Sequence, residues 1–265
     1  MTKTRVAING AAGRMGRLLI ALGSADPELH IVAALERAGH PELGHDAGPL
    51  AGVSALGVPV TAGLDVPADV LVDFSLPAGA AAATELCLAR RLPLVMATTG
   101  LEAEQKRRLH AAAETIPIAW APSMSLAVNL TMKLATMAAR VLNHAGGGAD
   151  VEIIERHHRF KKDSPSGTAL RFGELIAAEM GQTQQTHGRE GVVGERPHGE
   201  IGYHAVRAGD NPGEHTILFG LLGESIELTV RATNRDCYAL GAFAAAKFVA
   251  RQQPGLYTMN DVLGL

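Results

Sequence analysis

The chain has few cysteines and no long apolar run. Cys87 and Cys237 stand far apart without metal-ligand spacing, which excludes a disulfide-stapled secreted fold and favours reduced thiols. No apolar stretch is long and clean enough to cross a bilayer, and a strand pattern begins directly after the first five residues, so we expect no signal peptide. These absences together predict a cytoplasmic protein without a membrane partner.

Aromatic residues are also scarce, at 4% of the 265 residues, whereas hydrophobic residues make up 47%. The core must therefore be built from Ala, Val, Leu and Ile, as in α/β proteins with parallel sheets. The formal net charge is -3, so no excess of positive charge points to nucleic acid as a partner. The length suits one large domain or two ordinary ones.

Short apolar runs alternate with helical patterns through the first 120 residues. Such alternation indicates βαβ units and a Rossmann-like, doubly wound parallel sheet. The predicted strands lie at 6–9, 31–35, 70–74, 94–97 and 116–120, and the predicted helices at about 14–22, 78–91 and 102–114. A Gly- and Pro-rich stretch at 40–59 interrupts the pattern and is interpreted as a lid or a sheet edge.

The pattern changes after Ser125. A long apolar helix is predicted over 127–143, ended by the glycines at 146–148. Later strand patterns follow one another without helices between them, which is typical of an α+β domain with a mixed or antiparallel sheet. The remaining predictions are a buried strand at 151–154, a helix at 168–180, a polar loop at 181–199 that is a second candidate lid or edge, strands at 200–207, 215–219 and 225–231, and a final helix at 238–251.

We therefore expect two domains. The first is a dinucleotide-binding domain over 1–125, completed by 239–265. The second spans 126–238.

A glycine-rich turn stands at the first strand-to-helix junction. It has the form G-x-x-G-x-M-G rather than G-x-G-x-x-G, and its residues are Gly10, Ala11, Ala12, Gly13, Arg14, Met15 and Gly16. Such a turn lets backbone approach a pyrophosphate, and the helix start supplies N–H groups and partial positive charge. Glu36 ends the next strand, where a carboxylate holds the adenosine ribose hydroxyls, whereas Arg37 can pair with a 2′-phosphate. The expected cofactor is NADH or NADPH, and the choice stays open.

The ends of the following strands carry further candidate cofactor contacts, because ligands of open α/β sheets lie outside the carboxyl ends of the strands. We expect these turns to contact nicotinamide and its ribose. The candidates are Phe74 with Ser75, then Ala97, Thr98 and Thr99 with Gly100, and then Ala121, Pro122, Ser123 and Met124. Ordinary turn and helix-capping chemistry explains each of them about equally well when it is taken singly.

The segment 155–168, Glu-Arg-His-His-Arg-Phe-Lys-Lys-Asp-Ser-Pro-Ser-Gly-Thr, gathers acids and bases before a predicted helix start. Histidine, with an ordinary pKa of about 6.5, is the natural donor of a proton near neutral pH. Arg159, Lys161 and the helix start at Ser166 favour a carboxylate or phosphate ligand. Phe160 is consistent with a packing role and Lys162 with exposed charge.

A dinucleotide domain followed by a strand-rich domain with Glu-x-His-His-x-x-Lys and Ser-Gly-Thr resembles the 4-hydroxy-tetrahydrodipicolinate reductase (dihydrodipicolinate reductase) family of lysine biosynthesis. The likeness extends along essentially the whole chain, and its most specific stretch is 152–168. The resemblance implies hydride transfer from NADH or NADPH to an unsaturated cyclic dicarboxylic imine after loss of water. It also implies a homotetramer joined through the sheets of the second domain.

The resemblance implies residue roles as well. His157 matches the proton donor and acceptor of the family, and Lys161 matches a second proton donor. His158 matches a substrate contact, while Gly167 and Thr168 match the residues that bind a substrate carboxylate.

Three other classes of protein remain as alternatives. A nicotinamide-sensing regulator would need a partner surface such as a basic DNA-reading helix, which the sequence lacks. An aldehyde-type dehydrogenase would use Cys87 or Cys237 as nucleophile, although neither has an obvious base beside it. A metal site of His144, His157 and His158 is disfavoured, because adjacent histidines on an extended segment face opposite ways. We therefore expect no metal.

Overall fold

The computed structural model describes residues 2–144 and 148–265. The predicted helix end at Gly146 and Gly147 therefore lies outside the described residues. The chain folds into two compact units, Met1–Leu126 with Asp236–Leu265 and, separately, Ala127–Arg235. Within the described ranges, no helix is both long enough and apolar enough to span a bilayer.

Twelve strands and eight helices make up the described elements. In chain order the strands are β1 (Thr4–Asn9), β2 (Leu29–Leu35), β3 (Val60–Thr61), β4 (Val70–Asp73), β5 (Leu94–Met96), β6 (Pro117–Trp120), β7 (Asp150–His157), β8 (Gln184–His187), β9 (Glu200–Arg207), β10 (Gly213–Leu221), β11 (Glu224–Ala232) and β12 (Gly255–Tyr257). The helices are α1 (Arg14–Ala25), α2 (Ala47–Leu50), α3 (Pro77–Arg90), α4 (Ala103–Ala113), α5 (Leu126–Asn143), α6 (Gly167–Met180), α7 (Asp236–Val249) and α8 (Met259–Leu263).

The first unit is built on a seven-stranded sheet in the order β12-β6-β5-β4-β1-β2-β3, and every neighbouring pair is parallel. All four residues of β4 are buried, as expected for a strand that is covered on both faces. Buried aliphatic side chains form one core on each face of the sheet. The predicted Rossmann-like sheet is confirmed.

The second unit holds a five-stranded mixed sheet in the order β11-β10-β7-β9-β8. Strand β10 runs antiparallel to both β11 and β7, whereas β9 runs parallel to both β7 and β8. Apolar side chains of α5 and α6, including Val128, Ala135 and Phe172, pack with Ile153 and Phe219 of this sheet. The predicted mixed sheet is confirmed.

The polar segment 181–199 is not entirely a loop, because it contains the edge strand β8. Three of the four side chains of β8 are exposed, so no apolar alternation marked it in the sequence. Glu152 of β7 binds Arg189 and Arg196 of the same segment and His204 of β9. Burial alone would raise the pKa of Glu152, but these hydrogen bonds outweigh it and lower the pKa to about 2.

The Gly- and Pro-rich stretch 40–59 also has an internal structure. It contains the short helix α2 and leads into the edge strand β3. The carboxylate of Asp46 accepts hydrogen bonds from the backbone N–H groups of Gly48, Leu56 and Gly57 at 2.6–3.0 Å. One side chain thus closes this stretch on itself next to the edge of the sheet.

Candidate active site

The glycine turn between β1 and α1 leaves no room for larger residues. Gly10 has φ +75°, a conformation that costs little only for glycine. A Cβ atom on Gly16 would lie 2.1 Å from the carbonyl oxygen of Gly10 and 2.6 Å from Cα of Ala11. The first turn of α1 therefore packs directly against the backbone of the loop.

The start of α1 has the properties of an anion site. Gly13 is its N-cap and makes no side-chain cap, and no acidic residue lies in the first turn. The N–H groups of this turn and the helix dipole therefore favour the binding of an anion in front of the helix. Glu36, 24 residues along the chain, reaches this turn and accepts a hydrogen bond of 3.1 Å from the N–H of Ala12. Arg37 beside it is exposed.

The other predicted cofactor contacts follow β4, β5 and β6, which are adjacent in the sheet. They therefore share one edge of the first unit with the glycine turn. Thr99 and Pro122 are exposed, and Phe74 and Ser123 are half-buried, whereas Ala97, Thr98, Ala121 and Met124 are buried. The side chain of Met124 belongs to the apolar core.

Asp73 at the end of β4 is a residue of this edge that sequence reasoning missed. It is fully buried, and its carboxylate accepts hydrogen bonds from Asn9 Nδ2 at 2.6 Å, Ser75 Oγ at 2.7 Å and Thr98 Oγ1 at 2.6 Å. Burial raises the pKa of this carboxyl group above its ordinary value. Asn9 and Asp73 are register partners and each ends an apolar strand, which was the available signal.

In the second unit, His157 is the last residue of β7 and not part of the following loop. Its ring is buried, and its Nδ1 donates to Glu155 Oε2 at 2.5 Å. Burial lowers the pKa of His157, although the neighbouring carboxylate opposes this effect. A Cβ atom on Gly213 would lie 2.9 Å from His157 Nε2, so glycine at that position leaves space beside this nitrogen.

Glu155 is the centre of a buried polar cluster. Besides His157, it binds both terminal nitrogens of Arg207, at 2.6 and 2.7 Å, and the backbone N–H of Ser166 at 3.0 Å. Burial alone would raise the pKa of Glu155, but the hydrogen bonds from Arg207 and His157 outweigh it and lower the pKa. Glu155 therefore carries its negative charge inside the unit.

The start of α6 lies in the same cluster. Ser166 is its N-cap, and the Ser166 hydroxyl accepts a hydrogen bond from the N–H of Ala169. The N–H groups of Gly167 and Thr168 point ahead of the helix, and no acidic residue lies in its first turn. His215 Nε2 is 2.9 Å from the Ser166 hydroxyl. Burial lowers the pKa of His215 to about 4, so its ring is neutral near pH 7.

The segment after β7 is held by the turn before β10. The N–H of His158 donates to the carbonyl of Asn211 at 2.7 Å, and that of Arg159 donates to the carbonyl of Gly209 at 3.0 Å. Lys161 Nζ is 2.9 Å from the carboxylate of Asp163. Phe160 is 75% exposed, so it packs in no core, although its ring lies 6.2 Å from that of His158.

The predicted substrate-site residues therefore lie on one short stretch of the second unit, and the predicted cofactor residues lie along one edge of the first. Glu155 and Arg207 belong to the polar cluster of the second unit, and the sequence analysis assigned no role to either residue. Their pairing spans 52 positions and left no local signal, although Glu155 stood inside the segment that was singled out.

The alternative chemistries find little support here. In residues 2–144 and 148–265, no three His, Cys, Asp or Glu side chains are grouped to hold a metal ion. Burial raises the pKa of the Cys87 and Cys237 thiols, which disfavours the thiolate that a nucleophile needs.

Comparison with known proteins gives one consistent result. The family model described as dihydrodipicolinate reductase, N-terminus, matches residues 4–124, and the C-terminus model matches residues 127–263. A 4-hydroxy-tetrahydrodipicolinate reductase from Rhodopirellula baltica is 55% identical over 97% of this chain and 95% of its own length. Another from Alkalilimnicola ehrlichii is 49% identical over 99% of both chains.

A solved structure shows the same likeness. The dipicolinate-bound dihydrodipicolinate reductase from Paenisporosarcina sp. TG-14 superposes with a TM-score of 0.79 at 29% identity, covering 97% of this chain and 98% of that one.

Proposed function

The chain belongs to the dihydrodipicolinate reductase family, and from this premise we propose that His157 and Lys161 supply the protons of its reaction. The predictions of this family, of an oxidoreductase and of NADH or NADPH as cofactor are confirmed. The reaction reduces 4-hydroxy-tetrahydrodipicolinate to tetrahydrodipicolinate with loss of water, in the diaminopimelate route to lysine. The observation that carries our assignment of roles is the buried His157, placed in one cluster with an anion-binding helix start.

The cofactor belongs to the first unit, where the residues are suited to it. The backbone of Gly10, Ala11, Ala12 and Gly13, with Arg14 and Met15, holds the pyrophosphate. Glu36 binds the adenosine ribose and Arg37 the 2′-phosphate of NADPH. The bound cofactor supplies the hydride. The turns that contact nicotinamide and its ribose are those of Phe74, of Ala97, Thr98 and Thr99, and of Ala121, Pro122, Ser123 and Met124.

The substrate is a small cyclic dicarboxylate, and its carboxylates need positive partners. The N–H groups of Gly167 and Thr168, supported by the dipole of α6, bind one carboxylate. Ser166 fixes this helix start through its capping hydroxyl. Lys161 and Arg159 add positive charge, and His158 has a buried Nδ1 without a protein partner among the described residues, which suits a substrate contact.

The proton steps follow from the state of His157. Glu155 accepts a hydrogen bond from Nδ1 and so keeps a proton on that nitrogen, which leaves Nε2 as the nitrogen that exchanges a proton with substrate. Burial favours the neutral ring in the free protein, whereas a doubly negative substrate favours the protonated ring. Hydride addition to the conjugated imine leaves an enamine-like anion, which His157 then protonates. The preceding loss of water releases a ring C–H proton to solvent and needs a proton on the departing hydroxyl, and Lys161, across the short turn that follows β7, supplies that proton as the second donor.

We also propose a homotetramer joined through the sheet of the second unit. One face of that sheet packs on α5 and α6, while the opposite face carries Ile154, Thr216, Leu218 and Thr229, none of them fully buried. A half-covered sheet with apolar residues on its open face favours contact with another copy.

The two free cysteines are consistent with a cytoplasmic location, which we propose as well. Of the two predicted domains, we assign cofactor binding to the one at 1–125 with 239–265. The domain at 126–238 binds substrate and joins the subunits.

A coupled assay tests the proposed reaction. The substrate is made freshly from pyruvate and aspartate semialdehyde, and loss of nicotinamide absorbance is followed with NADH and with NADPH in turn. We expect substrate-dependent loss with at least one cofactor. Cofactor binding without any such loss would instead support the regulator.

A further inference from the structure

The two oxygens of Glu155 divide their partners evenly. Oε2 accepts from His157 Nδ1 at 2.5 Å and from Arg207 Nη1 at 2.7 Å. Oε1 accepts from the N–H of Ser166 at 3.0 Å and from Arg207 Nη2 at 2.6 Å. Each oxygen therefore holds one element of the site and one N–H of the same guanidinium.

We propose that Glu155 and Arg207 form a positioning pair, which fixes the proton donor His157 and the carboxylate-binding start of α6 relative to each other. This inference rests on the proposed function, because the two elements matter together only if one substrate uses both. Neither residue of the pair is proposed to touch substrate.

The first argument is the tautomer of His157. A fully buried carboxylate accepts hydrogen bonds and donates none, so it places the ring proton on Nδ1. Nε2, next to the space that Gly213 leaves, is then the atom that takes up and releases the catalytic proton. An orienting group behind a histidine acts in this way in other acid–base sites.

The second argument is the charge balance around His157. An unpaired buried carboxylate would hold the imidazolium too strongly to release its proton. Arg207 offsets that charge through two parallel N–H bonds, a geometry that lysine does not reproduce. The carbonyl of Asp163 accepts from Arg207 Nη2 at 2.7 Å and fixes the guanidinium in turn.

The other charged and titratable groups that face His157 complete this balance. Lys161 follows β7, Arg207 ends β9, and His215 of β10 packs edge-on with a ring separation of 5.2 Å. Lys161 and Arg207 disfavour a charged His157, whereas Glu155 favours it. His215 also touches the Ser166 hydroxyl, so the same cluster holds the helix start from a second side.

The third argument is the link to α6. Since Glu155 Oε1 accepts the N–H of Ser166, a change in the carboxylate displaces the N-cap, and with it the N–H groups of Gly167 and Thr168. The pair therefore affects both the protonation of His157 and the binding of substrate at the start of α6. A group that supported only one of these elements would affect only one of the two properties.

The test compares Arg207→Gln, Arg207→Lys and Glu155→Gln with the unchanged protein. Arg140→Gln is the matched control, because Arg140 also forms a two-bond pair with a glutamate, Glu179, at the other end of α6. Nitrogen NMR of the labelled histidines gives the tautomer and titration midpoint of His157. Titration with dipicolinate gives the binding of a cyclic dicarboxylate, and steady-state kinetics give kcat and KM.

We expect Arg207→Gln to raise the His157 midpoint by about one pH unit and Glu155→Gln to lower it by a similar amount. Both should weaken dipicolinate binding several-fold and reduce kcat about tenfold or more, by analogy with other partners that orient a histidine. Arg207→Lys should show a smaller shift, and Arg140→Gln none.

An unchanged His157 midpoint and tautomer in folded Arg207→Gln would overturn the positioning pair. Arg207 is partly exposed at the end of its strand, so its variants decide the question even if Glu155→Gln does not fold. The NMR and dipicolinate readouts do not require turnover. If the protein without substitutions does not oxidise cofactor in the presence of the cyclic substrate, the proposed reaction fails. That result is distinguishable from a failure of the positioning pair.

Discussion

The carboxylate of Asp73 accepts a hydrogen bond of 2.6 Å from the hydroxyl of Thr98, and both residues are buried at the carboxyl edge of the first sheet. The same carboxylate binds Asn9, the residue before the glycine turn, and Ser75 in the turn after β4. One buried group thus connects three turns that we assign to the cofactor.

We therefore expect Asp73→Asn to weaken cofactor binding about tenfold. The substitution replaces one acceptor oxygen with an NH₂ group, so at least one of the three donors loses its partner. Fluorescence titration with NADH measures the effect. Asp69→Asn is the control, since Asp69 pairs with Arg5 at an exposed position and should leave the NADH titration unchanged. Equal effects of the two variants would contradict a special role for Asp73.

Gly16→Ala should reduce both cofactor affinity and thermal stability. The added Cβ would meet backbone atoms of Gly10 and Ala11 at 2.1 and 2.6 Å, and backbone cannot rotate away as a side chain can. We expect NADH affinity to fall more than tenfold, while dipicolinate binding to the second unit persists. Gly63→Ala is the control, because no atom lies within 4 Å of its added Cβ. Normal NADH binding by Gly16→Ala would place the dinucleotide elsewhere.

The adjacent Glu36 and Arg37 should set the ratio of the two cofactors. Arg37→Gln is expected to weaken NADPH binding about tenfold and to leave NADH nearly unchanged, because only the 2′-phosphate gains from the guanidinium. Glu36→Gln should weaken NADH, whose ribose hydroxyls lose a charged acceptor. Dissociation constants for both cofactors in each variant provide the measurement. Parallel changes for NADH and NADPH in Arg37→Gln would remove that residue from the phosphate site.

Glu152 should make the second unit sensitive to acid. Its pKa falls from 4.5 to about 2 on folding. The stabilisation is therefore fully present above about pH 4.5 and is lost as the pH falls towards 2. Allowing for solvent at the rim of the cluster, it amounts to about 1–2 kcal/mol.

Urea unfolding at pH 6 and pH 3 tests this contribution. We expect the free energy of unfolding to decrease less from pH 6 to pH 3 in Glu152→Gln than in the unchanged protein. Glu174→Gln is the control, because the Arg171–Glu174 pair is exposed on both sides and contributes little. The same acid sensitivity in the unchanged protein and in Glu152→Gln would show that other carboxylates cause it.

The sequence predicted most of the long elements, and the reasons for the misses are physical. The strands β1 and β4 and the helix α4 carry clear apolar patterns, whereas β3 has two residues and β12 three, too few to show any period. The strand β7 continues three residues past its predicted end, since Glu155, Arg156 and His157 looked like loop residues. The burial of these polar residues is tolerated because Glu155 pairs with both His157 and Arg207.

The site was predicted in part, for a related reason. The glycine turn and the segment 155–168 were predictable because their functional residues are close together along the chain. The partners that fix them come from elsewhere: Asp73 lies 64 positions from Asn9, and Arg207 lies 52 positions from Glu155. Pairings over such distances depend on strand order, which a single sequence does not contain.

The most direct test of the proposed chemistry compares turnover with cofactor affinity in His157→Gln and Lys161→Met. We predict that kcat with the cyclic substrate falls by about 10²- to 10⁴-fold in each variant, the usual contribution of a general acid, while the NADH dissociation constant stays within about twofold of its original value. Turnover at the original rate in both variants would contradict the account.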